Sequence, residues 1–170
     1  SHVYRLQHPL SQRLIAWAQR EPLTGARLKL DYAAYGSKVS VLETLRGLVF
    51  DDSGYLFVTQ GDNRVAEAAQ PLDKLQGKLV RIWPDGRIPD DNPFVKREGA
   101  RPEIWSYGHR NMQGAALHPL TRKLWTSEHG PMGGDELNIP RAGRNYGWPV
   151  VTFGKDYSGS PVTGSVGNAA

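Results

Sequence analysis

The chain has 170 residues, carries 21 basic against 17 acidic side chains for a formal charge of +4, and contains no cysteine. That length is enough for one domain with a real core. The missing cysteines exclude disulfides, thiolate zinc sites and cysteine nucleophiles, the scattered cations argue against nucleic acid, and no apolar run reaches the roughly 18 residues of a membrane-crossing helix.

Residues 1–45 carry weak signals. Leu10, Leu14, Ile15, Trp17 and Ala18 fall on one helical face behind Ser11, yet they also suit a strand; Leu28 to Tyr35 and Val39 to Leu42 are expected strands. From Arg46 onward, short β runs alternate with turn chemistry. Gly47–Phe50 and Tyr55–Thr59 flank Asp51-Asp-Ser-Gly54, which predicts a hairpin with Gly54 at a positive φ. Lys78–Trp83 is the next expected strand, turning at Pro84-Asp-Gly86, and Glu103–Tyr107 follows. Gly114–His118 and Lys123–Ser127 form a second expected hairpin around Pro119–Arg122. The stretch after Tyr157, rich in Ser and Gly, is expected to be loop or disordered.

The two hairpins resemble each other at a spacing of about 67 positions, each ending in a polar, glycine-bearing loop. Such a recurrence implies an all-β architecture, a β-propeller whose blades are antiparallel sheets. At this period the 170 residues supply about two to three blades of a ring. The chain opens on Ser1 rather than Met, so a segment of a longer protein is expected. Open sheet edges on such a segment would favour self-association. The packing between blades is expected to involve Leu48, Phe50, Leu56, Leu117 and Trp125.

Chemistry concentrates between Ser106 and Gly154, where Arg, Asn, His, Asp, Glu and Tyr sit among glycines, as on loops presented by a rigid scaffold. Arg110 and Asn111 suit a planar polyanion, or they tie loop carbonyls together. Glu128-His-Gly-Pro131 and Gly133-Gly-Asp-Glu136 combine carboxylates with approachable carbonyls, the ligand chemistry of Ca²⁺; a loop-stabilising network built on Asp135 is the alternative. His109 and His129 do not have the spacing of a zinc pair. Asn145-Tyr-Gly-Trp-Pro149 is an aromatic turn that packs, or whose Tyr carbonyl completes a calcium shell.

Taken in order, Arg46–Asp62, Gly77–Pro93, Gly108–Gly114, Ser127–Pro131, Gly133–Glu136 and Asn145–Pro149 closely resemble the soluble quinoprotein glucose/sorbosone dehydrogenases, in particular the pyrroloquinoline quinone (PQQ)-dependent aldose sugar dehydrogenases. The resemblance covers about two thirds of the 170 residues. It implies a six-bladed propeller, here partial, with blades over 46–157 between a diverged segment 1–45 and a tail 158–170. It further implies PQQ and Ca²⁺ as cofactors, an aldose as substrate and a periplasmic location. By position, Arg110, Asn111 and Tyr157 would contact the quinone, Gly130 and Pro131 would offer carbonyls to the catalytic calcium, and Glu136 and Tyr146 would serve a further calcium site. One departure stands out. The family's proton-accepting histidine precedes the strand written here Gly47–Phe50, and this chain has Val41-Leu-Glu-Thr-Leu-Arg46 there, with no histidine between His8 and His109. Glu43 is the nearest ionisable substitute, His109 and His129 are other candidate bases, and no catalytic residue is assigned. Slow turnover is therefore expected. A non-catalytic propeller module binding sugars or a protein is the competing reading, and a calcium-dependent lactonase a third.

Overall fold

The structure is a computed structural model that describes residues 45–162. The expected helix or strand over 10–18, the strands over 28–42 and Glu43 lie outside the described residues.

Among the described residues seven strands form two antiparallel sheets. The first, in order β1-β2-β3-β4, contains Leu45–Phe50, Leu56–Gln60, Lys78–Ile82 and Ile104–Tyr107; the second, β5-β6-β7, contains Met112–Leu117, Leu124–Glu128 and Glu136–Asn138. These are two blades of a β-propeller, and the class expected from the sequence is the class observed. Among the described residues the helical structure is a single 3-10 turn at Ala66–Ala69, and no helix is long and apolar enough to cross a membrane.

The recurrence is structural as well as textual. β1 pairs with β2 through Gly47↔Thr59, with a register shift just before it at Leu45; β5 pairs with β6 through Gly114↔Ser127, with the same shift just before it at Met112. A bulge adds local twist and re-aims the residues beyond it, so both hairpins bend at the same place as they approach their polar loops. Asp51 accepts the backbone N–H groups of Ser53 and Tyr55 and fixes the first turn, with Gly54 at φ +89° as expected.

β2 and β3 are buried along their whole length, as central strands covered on both faces should be. On one face Leu56, Val58, Val80 and Ile82 join Ile104 of β4 and Leu75 and Phe94 from the connecting segments. On the other, Phe57 and Leu79 meet Met112 and Leu124, with Val49, Ala115 and Leu117 around them, and this is the seam between the blades. Of the five residues expected there, only Leu117 reaches it. Phe50 and Leu56 pack on the opposite face, Leu48 is half exposed, and Trp125 stands beside the His118 ring. Alternation explains the miss. In Gly47-Leu-Val-Phe50 every side chain is apolar, so the sequence does not say which parity faces the neighbour, and Val49 takes that place.

Candidate functional site

The segment Gly108–Asn111 leaves β4 and enters β5, and its backbone is held at nearly every polar group. Gly108 N donates to Ala69 O and its carbonyl accepts Trp148 N; His109 N donates to Gly77 O; the Arg110 carbonyl accepts Asp62 N at 2.7 Å; the Asn111 carbonyl accepts His129 N. Arg110 N donates to Glu128 Oε1 in a short charge-assisted bond. The β2–β3 connection, the β6–β7 connection, the segment after β7 and the end of β6 thus converge on four residues, which satisfies a stretch that no sheet ladder could serve.

The Arg110 guanidinium stands at an open cleft of about 1220 Å³, lined by Asp62, Arg64, Asn111, His129, Trp148 and Tyr157 among others. Its Nη1 donates to His129 O at 2.9 Å and Gly130 O at 2.6 Å, and Nη2 lies 3.4 Å from the Tyr157 hydroxyl. Its carbon lies 5.3 Å from the Trp148 ring centroid and 5.9 Å from that of Tyr157. The Trp148 indole N–H donates to Asp62 Oδ2 at 2.8 Å. Burial pushes the Asp62 carboxyl up, while the Arg64 N–H, the Trp148 N–H and the Arg110 charge oppose that shift.

Behind the guanidinium two carboxylates face each other. Glu128 and Glu136 are direct cross-strand partners, an arrangement that like charges disfavour unless something offsets it. Glu128 is served by Arg110 N and by His109, whose Nδ1 lies 2.9 Å from Glu128 Oε2. Glu136 accepts the Asn138 amide, and burial pushes its carboxyl up, with Glu128 adding to the shift. Between them is a small cavity of about 10 Å³, bordered by Gly130, Gly134, Tyr146 and Trp148 as well. That is room for one water-sized particle. Among the described residues no three His, Cys, Asp or Glu side chains gather as a metal cage, so an ion here would depend on carbonyls for the rest of its shell.

The structure brings Arg110, Asn111 and Tyr157 to one cleft and Gly130, Pro131, Glu136 and Tyr146 to the adjoining small cavity. Pro131 lines both. The Tyr146 hydroxyl is occupied, donating to Ile139 O and accepting Arg141 N, which leaves its carbonyl as the atom an ion could use. Asp135 accepts Gly130 N at 2.8 Å and stands 3.5 Å from His129, so part of the loop-stabilising network is also present. Glu136 lies on strand β7 rather than in the loop expected there. His109 is fully buried, with both ring nitrogens engaged, whereas His129 is exposed and borders the cleft. Sequence reasoning passed over Asp62, Glu128 as a partner of Arg110, Ser106 and the Trp148 indole. Asp62 and Trp148 lie 86 positions apart, and no local pattern links them.

The fold and this loop-borne cleft define a partial β-propeller with a polar cleft at the loop end of its blades. The Glucose / Sorbosone dehydrogenase family model matches residues 38–169, and the chain belongs to that family. The match starts ahead of Arg46 and runs past Tyr157. Aldose sugar dehydrogenase YliI of Escherichia coli is 61% identical over 115 residues, covering 68% of this chain and 31% of that protein. The crystal structure of the soluble aldose sugar dehydrogenase from Escherichia coli in its apo form superposes with a TM-score of 0.71 at 56% identity, over 73% of this chain and 36% of that one. The PQQ-bound aldose sugar dehydrogenase of Streptomyces coelicolor gives a TM-score of 0.56 at 35% identity, over 67% and 32%. The chain therefore spans about a third of the length of the relatives it matches.

Proposed function

We propose that this chain supplies the cofactor-holding loops of an enzyme that oxidises aldose sugars at the anomeric carbon, with PQQ as hydride acceptor. The observation that carries the reading is the Arg110 guanidinium, braced from behind by two carbonyls and presented to a cleft large enough for a tricyclic quinone and a sugar. A planar fork of this kind suits a carboxylate of the quinone, Asn111 adds an amide beside it, and Tyr157 and Trp148 supply aromatic faces. The PQQ-bound Streptomyces relative supports the same cofactor.

The small cavity offers hard oxygen donors of the kind Ca²⁺ takes, Glu136 as the main charged ligand with Pro131 and Tyr146 nearby, while Arg110 borders it and donates to the Gly130 carbonyl. The facing pair Glu128 and Glu136 has a charge for such an ion to balance. When bound, the quinone and calcium supply a hydride sink with a polarised carbonyl. The described residues would hold the quinone, and they offer one candidate to take the hydroxyl proton. Among the described residues His129 is the imidazole at the cleft, and His109 is sealed away. Turnover by these 170 residues is accordingly low, since a positioned base is worth about 10² to 10⁴ in rate. A periplasmic location completes the proposal and is checked by osmotic-shock fractionation.

The test is a quinone titration followed by absorbance and Trp fluorescence, with Ca²⁺ present. Binding that weakens about tenfold or more in Arg110→Ala is expected, together with reduced calcium affinity in Glu136→Gln and slow dye reduction with glucose. Unchanged quinone affinity in Arg110→Ala removes the assignment. Absence of any quinone binding favours the competing reading of a non-catalytic sugar- or protein-binding module.

A further inference from the structure

Behind Arg110 lies a constellation that the proposed chemistry leaves unused. Ser106 Oγ is 2.8 Å from His109 Nε2, and His109 Nδ1 is 2.9 Å from Glu128 Oε2. On connectivity alone this is a serine–histidine–carboxylate triad. Its surroundings decide otherwise. Ser106 and His109 are completely buried and Glu128 is 5% exposed, so no acyl group can reach the serine. The imidazole is covered by the Tyr146 ring, stacked at 4.6 Å and 20°, and Tyr146 is itself fixed through both hydrogen bonds of its hydroxyl.

We propose that Ser106–His109–Glu128 is a positioning relay for Arg110. Glu128, as a carboxylate, only accepts. Its Oε2 takes the Nδ1–H of His109, which fixes the tautomer and leaves Nε2 to accept the Ser106 hydroxyl. Its Oε1 takes the backbone N–H of Arg110. The carboxylate is thereby oriented from one side and holds the arginine backbone on the other, while the His129 and Gly130 carbonyls hold the side chain. The three residues come from β4, the following loop and β6, so the relay also ties the first blade to the second beside the cleft. Locking a ligand-holding group through partners that never touch the ligand is how a site keeps its geometry before anything binds. The inference rests on the reading of Arg110 as the quinone-holding residue only for its functional consequence; the relay itself is a statement about hydrogen bonds.

The test uses the full chain, with Glu128→Gln, Ser106→Ala and Ser106→Thr. Imidazole ¹⁵N spectra of the wild type should show a protonated Nδ1 and an accepting Nε2 on His109. The Arg110 amide should exchange slowly with solvent deuterium. In Glu128→Gln the amide must offer its NH₂ to one of two donors, so exchange of the Arg110 amide should accelerate about tenfold or more and quinone affinity fall by a similar factor. Ser106→Ala should mix the two His109 tautomers with a smaller loss of affinity, and Ser106→Thr should restore both. A merely structural role would not shift the tautomer and be rescued by threonine. The relay is overturned if the His109 tautomer and the Arg110 amide exchange are unchanged in Glu128→Gln and Ser106→Ala, or if a fluorophosphonate labels Ser106 in the native chain. If the tautomer and exchange respond while quinone affinity is indifferent to both Arg110→Ala and Glu128→Gln, the relay stands and the quinone reading falls.

Discussion

In the first blade Gln60 ends β2 and Lys78 opens β3 beside it, one step beyond the paired residues Thr59 and Leu79; in the second, Glu128 ends β6 and Glu136 opens β7 directly opposite. The two hairpins share a bulge and a register, so these are corresponding places in the two sheets, and they carry opposite charge. The Lys78 ammonium is fully buried and gives its three protons to the carbonyls of Ala68, Ala69 and Gln76 at 2.8–2.9 Å. Blade one thus carries a cation on a side chain and surrounds it with carbonyls. Blade two has two carboxylates and a cavity of about 10 Å³. One scaffold position is finished by the chain itself, and the other is where we propose that an ion from solution completes the site. Ala69 O, which Lys78 holds, also accepts Gly108 N, so the finished blade steadies the loop that the other blade presents.

The comparison breaks most visibly if the seam does not join the two blades into one unit. Phe57 from the first hairpin and Leu124 from the second are both buried there. Truncating either to Ala should cost about 2–5 kcal/mol, the lost transfer energy plus the cavity, measured by chemical denaturation in a single transition. Leu48→Ala, at a half-exposed position on the same hairpin as Phe57, should cost much less. Two separate transitions, or a silent Leu124→Ala, would mean that the blades fold independently.

A smaller effect sharpens the contrast between the two charged positions. Burial pulls Lys78 down from 10.5 to about 7; Asp73 works against that shift and Lys74 with it, and the three carbonyl acceptors also favour the charged form. The folded chain then binds fewer protons than the unfolded one between those values. Lys78 therefore contributes stability that is fully present above 10.5 and is lost as pH falls through about 7. Denaturation curves collected from pH 6 to 10.5 on the wild type and Lys78→Met should differ in slope, with the rise toward alkaline pH reduced in the variant. Parallel slopes would show that Lys78 titrates as it does in the unfolded chain.

How much of this was legible in sequence depended on distance along the chain. The Asp51–Gly54 turn, the strand at Lys78 and the repeat of Gly47 at Gly114 follow from local pattern, and the motif around Arg110 lies on a loop that borders the cleft. β7 has three residues, too short for a periodicity, so Glu136 read as loop. The facing of Leu48 and Val49 was undetermined because both are apolar. Asp62 and Glu128 were missed in these roles for a different reason: each acts by holding a residue far away in sequence, as Glu128 does Arg110 and Asp62 does Trp148; Ser106 acts on nearby His109, which matters only through Glu128. An arginine announces its chemistry through its type, while the groups that aim it are ordinary polar residues until the fold assembles them.

The smallest predicted effect concerns the bulge glycines that make the hairpins equivalent. A Cβ on Gly47 would lie 3.1 Å from Thr59 Oγ1 and 3.2 Å from the Ala115 Cβ in the other blade, whereas one on Gly114 would lie 2.5 Å from Ser127 Oγ and otherwise meet only the Ser127 Cβ, at an ordinary 3.7 Å. The closer contact is the easier to relieve. A serine hydroxyl can rotate away, but Ala115 belongs to β5 and moves only with the seam. Gly47→Ala should therefore destabilise by about 1–3 kcal/mol, the usual cost of overpacking, and Gly114→Ala by less. Combining Gly114→Ala with Ser127→Ala should recover the loss, a coupling that a double-mutant cycle reads directly. The cycle leaves the backbone of β6 untouched and removes only the hydroxyl in the way. Full recovery would show that the two bulges share a backbone and differ only in the side chain set against them; no recovery would mean that Gly114 is required by the bulge itself, and that the two hairpins bend for different reasons.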